Sequence, residues 1–250
     1  MCKSPSLLAA SVLCFLALQG CLETAVRVDC GKTGLMRTGF GVINTADYGL
    51  GTVVELDPFS HRAVPFYALS VADDDVIQSK SDNDLATVSS PDFTLSSKPP
   101  LPAELATSLG DEVRTNTMMQ LSGVVFRQEI GNVSTVINRD KAFAALLQTK
   151  MQKNPGRSFI VVSSVTTAGK GEFTLRNRTR NSEGFTMVER GYQKMLLSFS
   201  CRDEIEKIRA RGPLFFRFAS LSYDPRAEII EVEGPQEDLG QFTLSPVAAP

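Results

Sequence analysis

Residues 159–165 have the sequence Phe-Ile-Val-Val-Ser-Ser-Val, and this run of β-branched and apolar side chains predicts a buried strand. The segment just before it, residues 140–153, predicts a helix, because its apolar residues share one stripe and Asp140 and two lysines suit its two ends. Pro155 and Gly156 end that helix. A helix followed by a buried strand is therefore the first part of the fold that the sequence predicts.

Strand-like segments continue on both sides of this unit. Apolar residues that recur every four positions predict a second helix after Leu101, and residues 201–211 predict a third. Residues 172–176 and 185–189 predict a hairpin with a polar tip. Strands occur mostly in adjacent pairs, so the predicted class is α+β, with a largely antiparallel sheet and two or three helices. The remaining predicted strands are residues 121–130, 133–137, 195–199, 214–221 and 229–232.

The chain divides into five predicted parts. Residues 1–20 form a signal peptide, and residues 21–72 form an irregular, glycine-rich N-terminal segment with a small hairpin. Residues 73–100 are rich in Ser and Asp and end at two prolines, which predicts a polar loop or linker. Residues 101–233 form the main α+β domain, and residues 234–250 predict a disordered tail.

The first twenty residues have the composition of an export signal. Lys3 precedes an apolar run, residues 7–18, which is shorter than the roughly 20 residues that a spanning helix needs. A general signal peptidase requires small residues at positions −3 and −1 of its cleavage site. Cleavage before Cys21 would place the bulky Leu18 at −3, so a different kind of signal is indicated.

The end of this run, Leu18-Gln19-Gly20-Cys21, resembles the lipobox of bacterial lipoproteins. The resemblance covers only the leader and Cys21. It implies that the leader is removed, that the Cys21 sulfur carries two fatty acyl chains such as palmitate, and that the new amino terminus is acylated. Because Leu22 rather than Asp follows Cys21, the resemblance also implies the outer membrane of the cell envelope, facing the periplasm. The alternative is an ordinary secreted protein with an incidental cysteine near its leader.

Two further cysteines, Cys30 and Cys201, remain after the leader and Cys21. A pair of cysteines in an oxidising compartment favours a disulfide that joins the start of the domain to its C-terminal half. The alternative is a reactive Cys201 thiol, because Ser200-Cys201-Arg202-Asp203 resembles a helix capping box and helix N-termini lower thiol pKa values. No suitable base for such a nucleophile is apparent, which favours the disulfide.

Few residues are suited to metal or acid–base chemistry. His61 is the single histidine, so a Ser-His-Asp triad or a histidine-ligated zinc site would have to use it. No EF-hand or phosphate-binding loop pattern is complete. The net charge of −2 gives no general attraction for nucleic acid. The sequence therefore predicts no catalytic residue, no metal, no cofactor and no nucleic-acid partner.

Arg176, Arg178 and Arg180 cluster at the predicted hairpin tip, where guanidinium groups suit an anionic lipid, a glycan or a partner protein. The alternative interpretation of this tip is a solubilising hairpin end. Two functions are consistent with these features. One is a lipid-anchored, non-catalytic binding or assembly module with an envelope protein or glycan as its partner. The other is a membrane-tethered hydrolase that uses carboxylates such as Glu129 or Asp224 in a cleft.

Overall fold

The structure, a computed structural model, describes residues 23–31, 36–89, 93–181, 183–190, 193–236, 239 and 242–247. The four helices of this described part are α1 (Ala103–Asn116), α2 (Val133–Arg139), α3 (Lys141–Lys153) and α4 (Arg202–Arg211). Its strands, in chain order, are β1 (Glu23–Cys30), β2 (Arg37–Thr38), β3 (Gly41–Ile43), β4 (Thr52–Asp57), β5 (Arg62–Ala68), β6 (Val76–Ser89), β7 (Phe93–Ser97), β8 (Thr117–Ile130), β9 (Ser158–Leu175), β10 (Thr186–Arg190), β11 (Gln193–Phe199), β12 (Phe215–Asp224), β13 (Ile229–Gln236) and β14 (Thr243–Leu244).

These strands form two sheets. One has four strands in the order β10–β11–β1–β7, and the other has ten in the order β13–β12–β3–β2–β6–β8–β9–β4–β5–β14. The pairings β1–β11 and β14–β5 are parallel, and the other pairings between the described strands are antiparallel. The predicted class, α+β with a largely antiparallel sheet, is confirmed.

β9 pairs with three other strands of the ten-stranded sheet, and it contains the apolar run at residues 159–165. Near its start, β9 pairs with β4 and with β12. Further along, β9 pairs with β8. Because β12 also pairs with β3, the six strands β12, β3, β2, β6, β8 and β9 close into a ring. The predicted buried strand is therefore part of this ring, in which it pairs with both β8 and β12.

Apolar side chains from both sheets and the helices form three packed clusters. One of them joins the four-stranded sheet to α1, α4 and the ring, and it includes Val26, Leu109 and Ile205. Another contains Phe143 of α3 and Phe159 of β9. Burying a side chain of this size contributes about 1.5–3 kcal/mol. The helices are therefore held on the sheets mainly by apolar contacts.

Three of the four helices lie close to where the sequence predicts them. The predicted helix at residues 140–153 is α3, and the Asp140 side chain caps it by accepting a hydrogen bond from the Phe143 amide at 2.9 Å. Residues 133–137 were expected to form a strand, and this prediction is wrong, because they belong to α2. The Asn132 side chain accepts a hydrogen bond from the Thr135 amide at 2.9 Å, and this cap starts a helix in spite of the β-branched residues that follow.

The predicted polar loop or linker at residues 73–100 is wrong for most of its length. It contains the fourteen-residue strand β6 and the five-residue strand β7. β6 pairs with β8 from Val76 opposite Ile130 to Thr87 opposite Met118. Most side chains of β6 are exposed, so the strand is held mainly by backbone hydrogen bonds to its neighbours. Its sequence therefore lacks the alternation of apolar and polar residues from which a strand is predicted.

The two ends of the chain also differ in part from expectation. The irregular N-terminal segment is confirmed in part, because residues 36–51 consist of turns and the short strands β2 and β3, and its small hairpin is β4–β5. The same segment, however, contains β1, a central strand of the four-stranded sheet. The predicted disordered tail is wrong for residues 242–247, because β14 pairs with β5 and the Tyr48 hydroxyl donates a hydrogen bond to the Ser245 carbonyl at 2.9 Å. The tail makes these contacts through its own backbone, which leaves no pattern in its sequence.

Candidate functional site

The strand next to the predicted anchor is built firmly into the domain. Cys21 and the leader lie outside the described residues, and β1 begins at Glu23. β1 is a central strand, with Glu23 opposite Lys194 of β11 and Val26 opposite Ser97 of β7. Among the described residues, no helix has the length and apolar character needed to cross a bilayer.

A disulfide fastens the other end of β1. Cys30 is bonded to Cys201, with their Cα atoms 5.7 Å apart and a separation of 171 positions in sequence. Cys201 is buried and directly precedes α4. Its sulfur is therefore committed to the bridge and does not serve as the nucleophile that the capping-box pattern also allowed. Beside the bridge, a hydrogen bond from Arg27 holds the pKa of the Asp29 carboxyl below its usual value.

The predicted hairpin at residues 172–176 and 185–189 is wrong. β9 does end at Leu175, but β10 pairs with β11 in the four-stranded sheet, and the intervening segment crosses from one sheet to the other. An isolated antiparallel bridge joins Arg180 to Thr186, but the described residues of the two predicted strands do not pair with each other. The three arginines therefore lie on a crossover between the two sheets.

Two of these arginines are engaged inside the protein. Arg178 donates from Nε to Oε1 of the buried Glu112 carboxylate at 2.9 Å, and Arg190 binds the other oxygen of the same carboxylate. Arg180 pairs with Glu172 and donates from Nε to the Gly184 carbonyl at 3.0 Å. Buried carboxylates are stabilised when charged partners of this kind surround them. Arg178 and Arg180 therefore stabilise the crossover through these ion pairs.

Arg176 has a different environment. It is exposed, and it lines a cavity of about 540 Å³ together with Arg127 of β8 and Arg217 of β12. A second cavity of about 320 Å³ shares the lining residues Asp84, Leu85, Met118 and Arg176, so the two cavities adjoin. We call the region bounded by Arg127, Arg176, Arg217, Asp84, Leu85 and Met118 the arginine groove.

The ring brings these arginines together. Arg127 of β8 lies opposite Thr166 of β9, and Arg217 of β12 lies opposite Ser164 of the same strand, so both arginines flank β9. Arg217 donates a hydrogen bond to the Gly39 carbonyl, which fixes its guanidinium across the β2–β3 turn. Arg127 and Arg217 were not identified from the sequence. Their signal would have been a charged residue within an otherwise apolar strand segment.

The cavity that Glu129 lines does not include Asp224 among its described residues. Glu129 lines this cavity of about 320 Å³ with Ser134 and Ser163, and it is the only carboxylate among the described residues of the lining. Asp224 lies at the end of β12, where it accepts a hydrogen bond from the Arg226 amide at 2.8 Å. A carboxylate pair that cleaves glycosidic bonds requires both groups on one substrate. The structure does not bring these two residues together.

His61 lies at the turn of the β4–β5 hairpin, where its ring contacts Phe242 with centroids 6.4 Å apart. Its φ angle of 52° is in the left-handed region. Within the described ranges, no group of three or more His, Cys, Asp or Glu residues is arranged to hold a metal ion. The arginine groove is therefore the candidate site that the geometry favours.

Comparisons with known proteins give little further information. No protein-family model matches the chain, and no curated protein sequence matches it. Among solved structures, the chain is similar to a bacterial gasdermin from Bradyrhizobium tropiciagri at 11% sequence identity and a TM-score of 0.34, over 94% of this chain and 96% of that one. A TM-score this low does not establish a shared fold, so the function must be inferred from the residues of this chain.

Proposed function

We propose that the chain is a lipid-anchored protein of the bacterial cell envelope, whose folded domain is held directly against the membrane and serves as a non-catalytic binding or assembly module. Its anchor is the lipid on Cys21, and Leu22 favours the outer membrane, facing the periplasm. The Cys30–Cys201 disulfide agrees with an oxidising compartment. An envelope protein or a glycan is the expected partner.

The observation that carries this proposal is the short distance along the chain between Cys21 and β1. β1 begins at Glu23, two residues after Cys21. Even a fully extended chain spans only about 3.3–3.6 Å per residue, so the Cα atoms of Cys21 and Glu23 lie at most about 7 Å apart. An acylated Cys21 therefore leaves no tether that could lift the domain away from the bilayer.

The sheet topology then determines which end of the domain faces the membrane. Glu23 lies opposite Lys194 near the start of β11, and Gln193 lies opposite Arg190 at the end of β10. β7 ends on the same side, where Ser97 is followed by the exposed Lys98. Charged and polar side chains suit the headgroup region and not the hydrocarbon core. This end of the four-stranded sheet is thus expected to rest on the bilayer surface.

Single tryptophan reporters test this orientation, because the chain contains no Trp. Gln193→Trp places an exposed reporter at the membrane end, and Thr94→Trp places one opposite Asp29 on the same sheet. Asp29 lies six residues along β1 from Glu23, or about 20 Å at roughly 3.3 Å per residue. In vesicles that contain lipids brominated near the headgroup, we expect strong quenching of the fluorescence of Gln193→Trp and weak quenching of Thr94→Trp.

The Thr94→Trp variant is the matched control, since both reporters occupy exposed positions of the same four-stranded sheet. Flotation of the lipidated protein with the vesicles shows separately whether it is anchored. Equal quenching of the two reporters in floated protein would contradict the proposed orientation, although the anchor itself would stand. Failure to float would contradict the anchor.

A further inference from the structure

The geometry points to a second property that is independent of the anchor: the arginine groove binds a phosphate monoester group on a small molecule that also has an apolar part. The guanidinium group of arginine can donate two parallel hydrogen bonds to phosphate oxygens. The ammonium group of lysine lacks this planar pair of donors. The cavity of about 540 Å³ is an open depression on the surface, which a small molecule could enter from solvent. The ligand class follows from the charge, the donors and the apolar wall of this groove.

The groove has an excess of positive charge. The lining of its larger cavity has three arginines and one carboxylate, Asp84, and the adjoining cavity adds Arg178, which pairs with Glu112. Asp84 accepts a hydrogen bond from the Ser81 hydroxyl at 2.9 Å. A phosphate monoester carries about −1.5 to −2 at neutral pH, whereas a carboxylate carries −1. A phosphate monoester therefore interacts more strongly with this set of arginines than a single carboxylate does.

The arginines converge from separate parts of the fold. Arg127 is on β8, Arg217 is on β12, and Arg176 follows the end of β9. Within the described residues, neither Arg127 nor Arg176 forms an ion pair with a carboxylate. The Arg127 Nε atom is buried and has no hydrogen-bond acceptor in this part of the chain. Buried donors nearly always have a partner, so an oxyanion in the groove, or water in its place, is expected there.

One wall of the groove is apolar. Leu85 has 57% of its surface exposed and supplies most of this wall, and the largely buried side chains of Met118 and Phe40 lie beside it in the lining. Met118 Sδ is 3.8 Å from Nη2 of Arg176, so the apolar wall directly adjoins a guanidinium. A ligand with a phosphate at one end and a short apolar group at the other would contact both parts. The source of such a group is either a lipid headgroup or a soluble phosphate ester.

Isothermal titration calorimetry of the full chain in neutral detergent, in a phosphate-free buffer, tests this inference. The probes are inorganic phosphate and dihexanoyl phosphatidic acid below its micelle concentration, with dihexanoyl phosphatidylcholine as the control lipid. We expect the wild-type chain to bind at least one phosphate probe and not the phosphatidylcholine. Arg176→Gln is expected to weaken binding about tenfold or more, because a charge-assisted contact is lost.

Arg176 is exposed, so this variant is not expected to unfold the protein, and its thermal unfolding should match that of the wild type. Arg114→Gln is the matched control: it removes one equivalent charge from α1, where Arg114 pairs with Asp111 at 3.2 Å away from the groove lining. Arg127→Lys is a second variant, which keeps the positive charge but removes the paired N–H donors of the guanidinium group. It should weaken the binding of the phosphate probe as well.

Binding of the phosphatidic acid alone would support the inference and identify a lipid headgroup as the source. Binding of inorganic phosphate would support it with a soluble source. The inference is overturned if neither probe binds at millimolar concentration, or if Arg176→Gln and Arg114→Gln bind with equal affinity. Because the titration does not require acylation, these outcomes are distinct from any failure of the anchor.

Discussion

A Cys21→Ser variant is expected to lose all incorporated fatty acid and to accumulate as an uncleaved precursor when the cells are labelled with a fatty acid analogue. A serine hydroxyl does not accept the diacylglyceryl group that the lipobox resemblance assigns to the Cys21 sulfur, and Leu18 at position −3 does not suit cleavage by a general signal peptidase. Each buried methylene contributes about 0.8 kcal/mol, so two or three chains make attachment of the mature domain effectively permanent. The variant is therefore held on the membrane only by its uncleaved leader, and it is detected at the precursor mass without label.

Cys14→Ser is the matched control for this experiment, since Cys14 lies in the apolar run of the same leader. We expect its labelling and its cleavage to remain those of the wild type. Label that persists in Cys21→Ser, or label that disappears equally from both variants, would remove the basis for assigning the anchor to Cys21.

The second large effect is expected when the disulfide is removed. Replacing both Cys30 and Cys201 by alanine should lower the free energy of unfolding by about 2–5 kcal/mol, because the bridge closes a loop of 171 residues in the unfolded chain. For a domain of this size the midpoint of thermal unfolding should fall by roughly 5–15 °C. Alanine suits the test because Cys201 is buried and a serine hydroxyl there would add a desolvation cost.

Calorimetry measures this effect, and wild-type protein treated with a reductant should show a similar decrease. Thiol titration of the denatured, unreduced wild type should detect neither Cys30 nor Cys201. Two free thiols, or a midpoint within about 1 °C of wild type in the double variant, would contradict a stabilising bridge. The bridge joins β1, the strand nearest the proposed anchor, to the start of α4.

The elements that the sequence predicts correctly are those whose local pattern agrees with their tertiary environment. α3 has an N-cap at Asp140 and one apolar stripe, and it buries Phe143 and Leu147. The β4–β5 hairpin is similarly local. β6 was missed because it is polar and largely exposed, and β14 was missed because backbone hydrogen bonds hold it. The pairing of β10 with β11 depends on chain topology, which periodicity does not encode.

The candidate site was predicted only in part for the same reason. The cluster at residues 176–180 was recognisable because its arginines are close in sequence. Glu112, which binds Arg178, is far away in sequence, as is Arg127. The sequence therefore could not separate the arginines that hold the crossover from Arg176, which lines the groove. The pairing of β9 with β8 and β12, which the sequence does not show, brings Arg127 and Arg217 to the groove that Arg176 lines.

Mass spectrometry of the N-terminal peptide of the mature protein shows whether a lipid on one cysteine keeps this domain on the membrane surface. We expect a peptide that begins at Cys21 and carries the mass of a diacylglyceryl group on sulfur, together with an additional acyl chain on its amino group. A mature peptide that begins elsewhere, or one that begins at Cys21 with an unmodified thiol, would contradict this expectation.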